Sequence, residues 1–290
     1  KKYTLACTAM FLALTMPLPI IYFASSWPSV SIIEGPVEQD WVRRHQSNGF
    51  CIPTAFEVDG EDNVYVTGDA LYPNGCFASG YVTMKFDTRG RLLWFNQYCG
   101  PFLSAFGSSD LLLGRDGNVY VTGASGTLKY DTGGEPLWTS AVGGSAMVLD
   151  AEENLFITGK KGLVKFNNAG DEVWRVSYGE YQENEERIDE WNIALDERGG
   201  VFVTGPNIEG DSFDGYATAR FDERGERVWL SKYEGAEGEI AVITDLAVDE
   251  SSDVYVTGYT HTVTGDWWFY DWMTQDALTI KYEPTGDILW

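Results

Sequence analysis

One short phrase, a β-branched and aromatic pentad ending in Thr-Gly, recurs five times and limits what this chain can fold into more than any other feature. It reads Val64-Tyr65-Val66-Thr67-Gly68, Val119-Tyr120-Val121-Thr122-Gly123, Leu155-Phe156-Ile157-Thr158-Gly159, Val201-Phe202-Val203-Thr204-Gly205 and Val254-Tyr255-Val256-Thr257-Gly258. A second phrase follows each copy and closes on tryptophan, over residues 84–94, 128–138, 164–174, 219–229 and 280–290. Inside it Asp87, Asp131, Asn167 or Asp222 opens a tight turn by accepting backbone N–H groups, and the Gly three residues on takes positive φ. A third phrase precedes the pentads, at 55–60, 147–152, 192–197 and 245–250, with a weaker form at 111–117. Each copy therefore reads as four short strands, a to d.

Four-stranded units repeated without crossover helices bury their aromatics between neighbouring sheets, which is the design of a propeller. A β-sandwich would have similar strands but no reason to repeat one phrase five times. The expectation is an all-β, five-bladed β-propeller over 53–290. Ring closure leaves two readings, because residues 39–45 around Trp41 look like a lone d strand ahead of the first copy. They either complete blade five, the preferred reading, or seal a sixth blade whose other strands lie beyond the sequence.

The run Asp116-Gly117-Asn118-Val119-Tyr120-Val121-Thr122-Gly123 resembles the bacterial β-propeller repeats whose consensus contains D-x-x-G-N-V-Y-V-T-G. The turn from Asp131 to Trp138 is similar to the tryptophan-docking repeat of quinoprotein-like propellers, some of them enzymes and some scaffolds. The resemblance implies a propeller fold. Five copies fall short of the eight blades such quinoproteins use, so no cofactor is expected.

Composition excludes several partners. With 20 basic against 44 acidic side chains and a net charge of −24, the surface repels nucleic acid and suits cations or a basic protein. Near the start, residues 5–24 form an uncharged run of the length that crosses a hydrocarbon layer as a helix. Lys1 and Lys2 before it place the N-terminus in the cytoplasm and all that follows in the periplasm or extracellular space. A signal peptide is the competing reading. The chain thus divides into an anchor or uncleaved signal at 1–26, a linker with a ring-closing strand at 27–52, and the propeller at 53–290.

Variation concentrates in the b–c and d–a loops, at 69–80, 97–106, 178–190, 206–215 and 259–276, and function in repeat proteins tends to sit in such insertions. Trp267, Trp268, Phe269, Tyr270 and Trp272 read as the centre of a protein interface, with capping of the channel, packing between blades five and one, and dipping into a membrane as alternatives. Glu180, Glu183, Glu185, Glu186, Asp189 and Glu190 read as a docking loop for a basic partner, or simply a solvated one. Among Cys51, Cys76 and Cys99, a disulfide between Cys76 and Cys99 is preferred, with Cys51 to either as the alternative.

Catalytic signatures are sparse. Only His45 and His261 are present, on unrelated elements, and there is no metal cluster, phosphate loop, C-x-x-C or nucleophile elbow. No catalytic residue and no metal site is therefore expected, and the sequence reads as a non-catalytic, membrane-anchored scaffold within a multi-subunit membrane complex, respiratory or photosynthetic, with other subunits as partners. The alternatives are a free cell-surface ligand-binding or adhesion propeller, and a propeller enzyme of hydrolase or quinoprotein-like type.

Overall fold

The structure is a computed structural model that describes residues 40–43, 51–71, 79–99, 110–159, 162–177, 191–206, 216–233, 235, 239–262 and 274–290. The chain divides into two units, 1–39 and 40–290. Residues 5–24 lie outside the described residues, among which no helix is long and apolar enough to cross a membrane.

The repeat becomes five antiparallel sheets. The first holds β1 (Cys51–Val58), β2 (Val64–Leu71), β3 (Ser79–Phe86) and β4 (Leu92–Cys99), and the second β5 (Asp110–Leu113), β6 (Val119–Gly123), β7 (Gly126–Tyr130) and β8 (Pro136–Ser140). The third holds β9 (Ala146–Leu149), β10 (Leu155–Gly159), β11 (Gly162–Phe166) and β12 (Glu172–Val176), and the fourth β13 (Asn192–Leu195), β14 (Val201–Pro206), β15 (Tyr216–Phe221) and β16 (Arg227–Tyr233). The fifth has three strands, β17 (Glu239–Val248), β18 (Val254–Thr262) and β19 (Thr274–Tyr282), extended by a bridge from Tyr282 to Ile288. Within every sheet the order in space is the order in sequence. First strands pack against first strands, β1 on β5, β5 on β9, β9 on β13 and β13 on β17, which is a propeller-like all-β fold.

The pentad is the second strand of each sheet, and its alternation serves two neighbours at once. Val119 and Val121 face the first sheet, packing with Tyr65, Tyr81 and Trp94, while Tyr120 faces the third, packing with Met147, Leu155 and Ile157. Because both faces are covered, strands β6, β7 and β10 are buried along their whole length. In the first four sheets the pentad threonine is buried, and it bonds to its cross-strand partner, as Thr122 does with Thr127 at 2.8 Å and Thr204 with Thr218 at 3.1 Å.

The spelling of the turn phrase has a second cause beyond positive φ. The ring of the closing tryptophan in the first four sheets lies on the turn glycine of the next sheet: Trp94 on Gly134, Trp138 on Gly170, Trp174 on Gly225 and Trp229 on Gly286. Its Nε1 donates to the carbonyl two residues before that glycine, at 3.3 Å to Thr132, 3.2 Å to Asn168, 3.0 Å to Glu223 and 2.9 Å to Pro284. A Cβ on Gly134 would stand 2.7 Å from the Trp94 ring, so glycine is required by the neighbour as well as by its own φ of 89°.

Candidate functional site

Every sheet carries the same layer of largely half-buried charges. A base in the third strand lies over the pentad aromatic, as Lys85 over Tyr65 at 4.8 Å, Lys129 over Tyr120 at 4.8 Å and Lys281 over Tyr255 at 5.0 Å. It also meets an acid of the a–b turn: Lys165 reaches Asp150 at 3.4 Å, Arg220 reaches Asp196 at 3.3 Å and Lys281 reaches Asp253 at 2.6 Å. These turns combine Asx bonding, such as Asp59 Oδ1 accepting from the amides of Glu61 and Asn63, with ion pairing. The layer is structural, since its charges neutralise one another. It also accounts for a cleft of about 600 Å³ between the third and fourth sheets, where Asp150, Lys165 and Asp196 are already paired.

A different chemistry sits on the innermost strands of the first two sheets. Glu57 of β1 borders a cleft of about 450 Å³ together with Tyr65, Leu112 and Arg115. Burial raises the Glu57 carboxyl above its ordinary pKa, against a weaker opposing backbone hydrogen bond. Asp110, at the start of the adjacent β5, is pushed up to about 6, chiefly by burial, with the Glu57 charge adding to the shift. Its oxygens accept from the Leu111 amide at 2.9 Å and the Met147 amide at 3.1 Å, which fixes the carboxyl while tying the second sheet to the third. Asp69 on β2, also buried, is pushed up to about 6 by desolvation. It pairs in register with Tyr81, whose hydroxyl accepts from the Ser125 amide at 2.6 Å and donates to the Gly126 carbonyl at 3.3 Å.

A carboxyl whose pKa is raised by burial keeps its proton to a higher pH than a solvated one, the property that general acid catalysis uses. Sequence reasoning missed them. Glu57, Asp69 and Asp110 are three of 44 acids, and what sets them apart is the packing of a neighbouring sheet. The only signal in the chain is that Glu57 alternates with apolar residues inside a strand, where an acid is uncommon.

Most of the residues singled out from sequence lie outside the described residues. Trp267, Trp268, Phe269, Tyr270 and Trp272 lie outside the described residues, as do Glu180, Glu183, Glu185, Glu186, Asp189 and Glu190. Cys99 is disulfide-bonded, while Cys76 is outside the described residues. His45 is likewise outside, and only the backbone of His261 is described. Among the described residues no group of three or more His, Cys, Asp or Glu could hold a metal ion.

No family model matches the chain, and no curated protein does. Solved structures do resemble it. One is a protein of unknown function from Bacteroides caccae, 13% identical, with a TM-score of 0.45 over 86% of this chain and 84% of that one. A gluconolactonase from Xanthomonas campestris is 15% identical, with a TM-score of 0.39 over 71% of this chain and 69% of that one. A GH43_1 enzyme from Xanthomonas citri, solved with xylotriose, is 10% identical, with a TM-score of 0.37 over 84% of this chain and 90% of that one. These likenesses concern fold and assign no residue of this chain a role. The expectation of a non-catalytic scaffold in a membrane complex is corrected here to a propeller-like all-β chain whose role the fold leaves unassigned, since proteins of similar fold include ones named as a gluconolactonase and a GH43_1 enzyme.

Proposed function

We propose that this propeller-like chain is a hydrolase acting on a neutral, hydroxyl-rich substrate, with Glu57 and Asp110 as its carboxyl pair. The observation that supports the reading is the pair itself, two carboxyls on adjacent inner strands, both raised by burial and one acting electrostatically on the other. Glycoside hydrolysis needs two carboxyl groups with different proton affinities and little else from the protein. Glu57 borders the cleft and is assigned to the substrate. Asp110, deeper and held by two amides, is assigned to keeping a proton shared with Glu57. An acidic surface of net charge −24 disfavours anionic substrates and is compatible with neutral glycosides.

A panel of neutral aryl glycosides tests this directly. The Glu57→Gln variant is expected to lose about 10²-fold to 10⁴-fold in rate while keeping its melting temperature, as removal of a general acid–base does. Activity of the parent is expected to fall as pH rises through about 6, where Asp110 gives up its proton. A folded parent that binds glycosides without cleaving them would make the chain a binding module, and a Glu57→Gln variant as active as the parent would remove the pair from the chemistry.

A further inference from the structure

Trp41 is seated in the manner of the closing tryptophans. Its ring lies on Gly90, where a Cβ would stand 2.6 Å away, and its Nε1 donates to the Thr88 carbonyl at 3.2 Å. In the other four seats this tryptophan belongs to the outermost strand of the preceding sheet. Residues 40–43 therefore hold the place of an outermost strand in a sheet that precedes the first. The fifth sheet cannot be that sheet, because its own outermost position is filled. Ile288 bridges Tyr282, the Lys281 amide donates to the Trp290 carbonyl at 2.8 Å, and the Leu289 amide donates to the Lys281 carbonyl at 2.8 Å.

Among the described residues, both flanking faces lack the neighbour that every other sheet has. On the first sheet Phe56 is 57% exposed, whereas Leu111, at the same register position of the second, is 2% exposed. Val66, Met84 and Phe86 line a groove of about 270 Å³ that Trp41 and Arg43 only partly cover. On the fifth sheet Thr257 is exposed although its equivalents Thr122, Thr158 and Thr204 are fully buried. Trp290 contacts Tyr255 as its counterparts contact their pentad aromatics, yet it is 62% exposed. β17 and β1 lack the extensive packing that joins β1 to β5, β9 to β13 and β13 to β17.

We infer that one further repeat of the same kind, carried by this polypeptide after Trp290, fills the space between the fifth sheet and the first, with residues 40–43 as its outermost strand. The repeat would present a turn glycine to Trp290 and an apolar face to Phe56, Val66 and Phe86. The chain elsewhere passes directly from an outermost strand into the next inner strand, as from Ser140 to Ala146, so Trp290 is where such a unit would continue. Of the two closures weighed for residues 39–45, this favours the sixth blade over the preferred fifth.

The test is a chain in which residues 139–171, the shortest-looped inner three strands with their turn, are repeated after Trp290, compared with the 290-residue chain. The extended chain is expected to melt several degrees higher. Paired cysteines at Val42→Cys and at the repeated Val164→Cys are expected to cross-link in the register that joins Val164 to Arg175. An unchanged melting temperature together with no cross-link would overturn the inference. So would a native C-terminus at Trp290 in peptide mapping of the protein from its source, or a 290-residue chain that sediments as a dimer with Trp290 protected, since a second copy would then be the occupant.

Discussion

Trp174 and Trp290 hold the same place in their repeats and end in different surroundings. Trp174 lies on Gly225, donates to Glu223 at 3.0 Å and meets Phe156 edge-on at 5.8 Å. Trp290 keeps the matching contact with Tyr255, but among the described residues no glycine turn lies beneath its outer face. The difference teaches that the closing tryptophan of a repeat belongs energetically to the next repeat. A sheet here is half of two interfaces and not a unit in itself, as in other repeat architectures.

The largest expected effect separates these two residues. Replacing Trp174 with Ala removes a ring clamped between sheets and should cost about 3 to 5 kcal/mol. The same change at Trp290 should stay within about 0.5 kcal/mol, as for an exposed side chain. Chemical denaturation of the two variants of the 290-residue chain checks this, and equal losses would break the comparison.

A smaller effect sharpens it at the glycine side. Gly225 and Gly199 have nearly the same backbone, with φ of 81° and 80°. Only Gly225 carries a tryptophan, whose ring would stand 2.9 Å from an added Cβ, while nothing lies within 4 Å of one on Gly199. Gly199→Ala should therefore cost about 1 to 2 kcal/mol of left-handed strain alone, and Gly225→Ala should cost that plus displacement of Trp174. Melting curves giving equal losses would mean that the seat contributes nothing.

The smallest effect is one of pH. Asp69 has its folded pKa raised to about 6 by burial, above the ordinary value of 3.8. A raised folded pKa favours folding of the protonated form, so the contribution is fully present below about 4 and is lost as pH rises through about 6. Asp69→Asn removes the ionising group, and its melting temperature should gain on the parent between pH 4 and pH 7. A difference that is flat across that range would show Asp69 to be solvated. Asp110 is a poorer probe, because its carboxyl also holds the Leu111 and Met147 amides.

Much of the fold was legible in the chain because it is written in local terms. Alternation in the pentad and the Asp-to-Gly turn are properties of five consecutive residues, and β2, β6, β10, β14 and β18 each begin at the first residue of their pentads. What joins the sheets was half legible: tryptophan and glycine were both conspicuous, but their union across repeats, Trp138 to Gly170, is a contact between phrases that sequence shows only one at a time. The base at Lys85, Lys129, Lys165, Arg220 and Lys281 recurs in every copy, and its pairing with turn acids escaped notice for the same reason. The candidate site was not legible. Glu57 and Asp110 differ from other acids through burial by a neighbouring sheet, and burial is a tertiary quantity.

Hydroxyl-radical labelling of the 290-residue chain, read residue by residue by mass spectrometry, measures the central claim most directly. Fast labelling is expected at Trp290 and Phe56, the two open faces, and slow labelling at Trp174 and Leu111, their covered counterparts. Protection of Trp290 and Phe56 equal to that of Trp174 and Leu111 would contradict it, because the fifth sheet would then close directly on the first.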